Sequence, residues 1–210
     1  MSGSELERPV VIVIDDDPMV RRALDSLFRS IGLATALYES ASAFLASEPP
    51  KSNSCIITDV RMPGVSGLDF QKTLAAQGVT TPVILITGHG DVQMSVRAMK
   101  AGAVDFLTKP FRDQDLIDAV NEALERDRRT RERARDVAGA EARYAQLTPR
   151  ERQVMDLVVA GLMNKQTAAE LGLSEITVKL HRSSLMRKME VHTVADLVRL
   201  SQDLKSQAQA

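Results

Sequence analysis

The chain has 210 residues, enough for one large domain or two modest ones, and 44% hydrophobic with 26% charged residues is an ordinary globular balance. Aromatic residues make up only 3% and tryptophan is absent, so any core must be aliphatic, and a single cysteine, Cys55, excludes an internal disulfide. The net charge of −1 hides an asymmetry: residues 1–125 hold 17 acidic against 11 basic side chains, whereas residues 126–210 hold 11 against 16. Two units with different partners are expected, the second meeting an anion such as nucleic acid.

The first apolar stretch, residues 9–14, is short and runs into acids, which fits neither a signal peptide nor a membrane span. A soluble, cytoplasmic protein without a membrane partner is expected. Five apolar runs, starting with this stretch, recur in order: VVIVI (10–14), ATALY (34–38), CIIT (55–58), VILIT (83–87) and AVDFL (103–107). Between them the apolar spacing turns helical, as in Val20, Leu24, Leu27, Phe28 and Ile31, then Leu68, Leu74 and Ala75, then Val92, Val96 and Met99. After the fifth run, Leu116, Val120, Ala123 and Leu124 form a last apolar face. Strands alternating with helices predict an α/β fold with a parallel sheet covered on both faces.

From 125 to 143 the pattern breaks. The stretch ERDRRTRERARDVAGAEAR holds seven arginines and almost no large apolar side chain, which predicts an exposed helical extension or linker over 126–144. The segment LTPRERQVMDLVVAG then opens with a helix start: Thr148 as cap, Pro149 in the first turn and Glu151 three residues after the cap. Three further helical stretches follow without a strand, so residues 145–210 read as a four-helix, all-α domain.

In a doubly wound sheet the loops after the strands gather at one edge. The first strand ends in DDDP (15–18), the third in Asp59, the fourth in Thr87 and the fifth in TKP (108–110). That edge would collect several carboxylates, a hydroxyl and an ammonium. Clustered carboxylates without a cation repel, and oxygen-only ligands suit a hard divalent ion. Singly, each residue has a plainer reading: Asp15–Asp17 as an acidic helix cap, Asp59 and Thr87 as turn starters, Lys109 as a surface lysine. Their coincidence at one edge favours a reactive site.

The stretches VIVIDDDPMVRRAL, IITDVRMPGVSGLDF, VILITGHGD and AVDFLTKPF resemble the receiver domain of two-component response regulators, over residues 8–125. The resemblance implies a (βα)5 flavodoxin-like fold in which Asp59 accepts a phosphoryl group from a sensor histidine kinase. It further implies Mg²⁺ (or Mn²⁺) held by Asp16, Asp59 and the carbonyl of Arg61, with Asp15 in the acidic pocket acting through water. Lys109 and Thr87 would meet the phosphoryl oxygens, Gly88 would leave room, and Thr87 and Phe106 would act as a switch. Phe106 is equally explicable as core. The face of the fourth helix and fifth strand would become a homodimer contact. Lys109-Pro110 is a candidate cis bond, and His89 could influence water attack or be a solvated loop histidine.

Two rivals fit poorly. A haloacid-dehalogenase-like phosphatase needs Asp-x-Asp-x-Thr/Val, but Met19 stands where Thr or Val is wanted. A flavodoxin would hold its flavin phosphate in the first loop, which three carboxylates would repel.

In the second unit NKQTAAELGLSEITVKLHRSSLMRKM reads as helix, turn at Gly172, and a second helix capped by Ser174. Val178, His181, Leu185 and Met189 share an inward face. Ile176, Leu180, Ser183 and Arg187 share another, beside Lys179. Leu180 there suits contact with a thymine methyl, Lys179 and Ser183 could reach base edges, and Arg182, Arg187 and Lys188 could meet phosphates. The segment is similar to the LuxR-type helix-turn-helix, and with the receiver it is identified as a member of the NarL/FixJ family, FixJ-like. The resemblance implies that Lys179, Leu180 and Ser183 face the major groove, with Thr177, Asn164 and Lys165 near phosphates. A phosphorylation-activated transcription activator, working with promoter DNA and RNA polymerase and not as a turnover enzyme, is the expected function. Residues 145–210 hold nine basic against seven acidic side chains, so one copy should bind weakly and a dimer by avidity.

Overall fold

The computed structural model describes residues 8–48 and 50–207, the side chains of 205–207 excepted. The chain divides into two compact units, Met1–Arg131 and Glu132–Ala210.

In the first unit, strands β1 (Val10–Ile14), β2 (Ala34–Tyr38), β3 (Ser54–Asp59), β4 (Val83–Thr87) and β5 (Asp105–Thr108) alternate with helices α1 (Pro18–Ser30), α2 (Ala41–Leu45), α3 (Gly67–Ala76), α4 (Val92–Lys100) and α5 (Asp113–Ala145). All pairings are parallel and the order is β2-β1-β3-β4-β5, with the expected α/β architecture. β1, β3 and β4 lie inside, which is why their sequences are nearly continuous apolar runs. Alternate residues serve opposite faces. Val11, Val13, Cys55, Ile57, Ile84 and Ile86 pack with Leu24 and Phe28 of α1 and with Leu116, Val120 and Ala123 of α5. Ile12, Ile14, Ile56 and Leu85 pack with Phe44 of α2, Phe70 and Leu74 of α3, and Ala98 of α4. Burial pushes the Cys55 thiol well above its usual range, so it is an inert core group.

Val92, Val96 and Met99 lie on one helix, α4, as their spacing predicts, but on its exposed side, Val92 by 79%, while Ala98 turns inward. The region 126–144 continues α5 as a mostly exposed helix, as expected, but it is not free of burial. Asp127 is 1% exposed, accepts the Ser54 amide at 2.8 Å and meets Arg131 Nε at 2.5 Å, while Arg131 also donates to the Lys51 carbonyl at 2.7 Å.

The second unit joins the end of α5 to α6 (Pro149–Val159), α7 (Asn164–Leu171), α8 (Glu175–Lys188) and α9 (Val194–Gln207). Its core is Leu147, Val154, Met155, Val158, Leu185, Met189 and Leu197, with Tyr144 of α5 against it. Thr148 and Glu151 form the expected reciprocal cap, and Gly172 ends α7 at φ 64°, a left-handed turn that glycine accepts without strain. Ser174 caps α8 by accepting the Thr177 amide at 3.1 Å. Among the described residues no helix is long and apolar enough to cross a membrane.

Candidate functional site

The carboxyl edge of the sheet brings together residues far apart in the chain. Asp15, immediately after β1, is buried; its Oδ1 accepts the Asp17 amide at 2.9 Å and its Oδ2 meets Lys109 Nζ at 3.0 Å. Asp59 ends β3; its Oδ1 accepts the Arg61 amide at 2.8 Å and its Oδ2 meets the same Lys109 Nζ at 2.9 Å. Lys109 thus ties two carboxylates, and its own amide is fixed by the Thr87 carbonyl at 2.7 Å. Thr87 is fully buried, with its hydroxyl 3.3 Å from the His89 amide. Asp16 and Arg61 are exposed beside this cluster, and Lys109-Pro110 is cis.

The three consecutive acids divide their tasks. Asp17 is the helix cap, accepting the Met19 amide at 2.8 Å, whereas Asp15 turns into the cluster. Gly67, at the start of α3, closes on the same region. A Cβ there would stand 2.4 Å from the Asp59 carbonyl oxygen, so only glycine permits this approach. Gly90 is similarly confined, with 2.9 Å between an added Cβ and the ring of Phe106. Phe106 itself is half-buried against the core that contains Ile12 and Leu85.

In the second unit Lys179, Leu180, Ser183 and Arg187 of α8 are exposed, and Ile176 and Leu180 are 72% and 68% accessible despite being apolar. Lys165 is exposed, while Thr177 and Asn164 are half-buried. Arg182 donates to Asn164 Oδ1 at 2.9 Å. Lys188 is engaged inside the unit: its Nζ lies 2.7 Å from Glu151 Oε2 and 3.3 Å from the Gln146 carbonyl.

Comparison with known proteins agrees with both units. Residues 11–121 match the response regulator receiver domain, and residues 145–201 match the bacterial regulatory proteins of the luxR family. The chain belongs to the FixJ-like response regulators. It is 54% identical to Nodulation protein W of Bradyrhizobium diazoefficiens, over 94% of this chain and 87% of that protein. It is 48% identical to Transcriptional regulatory protein FixJ of Azorhizobium caulinodans, over 91% and 90% of the two chains. Among solved structures it is similar to the response regulator StyR, with a TM-score of 0.82, 44% identity and 93% and 98% coverage. A FixJ-like regulator is a phosphorylation-dependent transcription regulator with a LuxR-type DNA-binding domain, not a turnover enzyme, and its family pairs with a sensor kinase.

The electrostatics of this regulator's acidic edge follow from burial. Desolvation raises Asp15 above the usual carboxylate range and nearby Asp59 adds to that, against the opposing pull of the Asp17 amide and Lys109. Burial works against the charged form of Lys109, but Asp59 and Asp15 together outweigh it and hold the ammonium above the usual lysine range. Among the described residues no three Asp, Glu, His or Cys side chains are grouped to hold a metal by themselves. The donors nevertheless fit Mg²⁺, which receiver domains generally bind at this site: it keeps several waters and takes only one or two carboxylates. Exposed Asp16 and the second lone pairs of Asp59 suit that role better than a closed protein cage would.

Proposed function

We propose that Asp59 accepts a phosphoryl group from a sensor histidine kinase, and that the modified protein dimerises and activates transcription from promoter DNA. Supporting this most directly is the convergence of Asp15, Asp59 and Lys109 at one sheet edge, in a chain that also carries a LuxR-type domain. In the transfer an Asp59 oxygen forms the new bond to phosphorus as the bond from phosphorus to the kinase histidine breaks. The electron pair leaves with the imidazole nitrogen. A carboxylate is a weak nucleophile, so the site works by alignment and charge neutralisation. Lys109, already hydrogen-bonded to Asp59, neutralises charge on the phosphoryl oxygens, and the Thr87 hydroxyl donates to one of them. Mg²⁺, held by Asp16, Asp59 and the Arg61 carbonyl with Asp15 acting through water, would supply further neutralisation of phosphoryl charge.

Movement of Thr87 toward the phosphoryl group frees space for Phe106 to rotate inward. The exposed α4 side chains Val92, Val96 and Met99, next to β5, then bury against a second copy. In α8, Lys179 and Ser183 reach base edges and Leu180 meets a thymine methyl, while Arg182, Arg187, Thr177, Asn164 and Lys165 lie toward phosphates. Working as an activator in the cytoplasm, the DNA-bound dimer would recruit RNA polymerase. Incubation with a small phosphodonor and Mg²⁺, followed by intact-mass measurement, tests the first step. One phosphoryl group per chain is expected, absent in Asp59→Asn; a label retained by Asp59→Asn contradicts the assignment.

A further inference from the structure

We propose that Arg21 is a positioning residue of the phosphoacceptor site, orienting Asp16 and thereby setting the affinity for the divalent ion. The proposal rests on the reading of Asp16 as a metal ligand. Arg21 lies in the first turns of α1 and its guanidinium folds back on the loop before it. One nitrogen, Nη1, donates to the carbonyl of Asp15 at 2.5 Å and to the carbonyl of Asp16 at 3.0 Å. These two carbonyls belong to the peptide planes on either side of the Asp16 α-carbon. Because each plane is rigid, anchoring both oxygens on one nitrogen fixes the two backbone torsions of Asp16. Those torsions determine where its Cβ, and hence its carboxylate, points.

The neighbouring residues lack this need. Asp15 is oriented by its own side-chain bonds to the Asp17 amide and Lys109, and Asp17 by capping α1. Asp16 is exposed, so packing does not hold it. Two carbonyl oxygens drawn to one point also repel each other, and a cation between them removes that repulsion. Without it the loop relaxes and Asp16 samples other directions.

Position and charge predict opposite signs. Arg21 is a cation close to a cation site, so if charge alone mattered, its removal would tighten metal binding. If it positions Asp16, its removal loosens binding, and groups that orient metal ligands are typically worth about 10- to 100-fold in affinity. The test is Mn²⁺ binding to the full chain, followed by the electron paramagnetic resonance signal of free Mn²⁺, with unfolding temperature in chelator measured alongside. Arg21→Met should weaken Mn²⁺ binding about tenfold, with Arg21→Lys closer to the unsubstituted protein. Arg21→Met binding Mn²⁺ equally or more tightly overturns the proposal, as does a loss of thermal stability with unchanged affinity. Asp16→Asn separates the two layers: if it leaves Mn²⁺ binding intact, the ligand assignment itself fails.

Discussion

Lys109 and Asp59 stand 2.9 Å apart across 50 positions of sequence, and the same ammonium lies 3.0 Å from Asp15, 94 positions away. One cation therefore holds two carboxylates that would otherwise repel at the sheet edge. Replacing it with a neutral side chain, as in Lys109→Met, removes that neutralisation and, on the proposed mechanism, the donor to the incoming phosphoryl group. Loss of one such donor typically costs about 100- to 1,000-fold in rate. Labelling by a small phosphodonor should slow by that order in Lys109→Met, and labelling at an unchanged rate would remove Lys109 from the chemistry.

Gly67 supplies a second, purely steric constraint on Asp59. A methyl group at position 67 would sit 2.4 Å from the Asp59 carbonyl oxygen, a backbone atom that cannot swing aside. Gly67→Ala should destabilise the first unit by about 1–3 kcal/mol or more, as over-packing does. Urea denaturation measures the stability, and slower labelling of Asp59 is expected with it.

Much of this fold was legible in advance, because each central strand is an apolar run ending in a polar residue. Val11 to Ile14, Ile56 to Thr58 and Ile84 to Ile86 are buried on both faces, so their sequences announce strands without needing a partner. The cluster of Asp15, Asp59 and Lys109 could be inferred once those strands were laid parallel. Less could be read where one residue answers another far away. Asp127 looked like part of a solvated charge run, yet it binds the amide of Ser54, 73 positions earlier. Val92, Val96 and Met99 have helical spacing, but spacing does not tell which face meets the sheet. Arg21 carries no signal in the sequence, since its partners are carbonyls, which every sequence supplies.

Asp127 accordingly carries a stability prediction. Asp127→Ala strands the buried Ser54 amide and frees Arg131, and a lost hydrogen bond to a charged group costs about 1.5–3 kcal/mol. Chemical denaturation of the full chain should show this in the first unit, with Asp127→Asn milder because it keeps an acceptor for Ser54.

Glu151 carries the corresponding prediction for the second unit. Burial alone would raise its carboxyl, but Lys188, Ser184 and Thr148 outweigh that and hold it down to about 2, against an ordinary 4.5. A depressed carboxyl stabilises the fold above its unfolded value, so this contribution is complete above about pH 4.5 and is lost as pH falls through about 2. Glu151→Gln should flatten that acid dependence in a pH series of unfolding measurements. Lys188→Ala should likewise lower stability, since its ammonium is spent on Glu151. Arg187→Ala, by contrast, should leave stability unchanged and reduce the salt dependence of DNA binding by about one unit of slope.

Binding of the full chain to its promoter DNA, with and without a phosphodonor, reports on the proposed coupling between Asp59 and DNA. Phosphorylation should tighten binding by about a hundredfold or more through avidity of two α8 helices, and Asp59→Asn should show no change. Equal affinity of the phosphorylated and unphosphorylated protein would show that Asp59 does not control DNA binding.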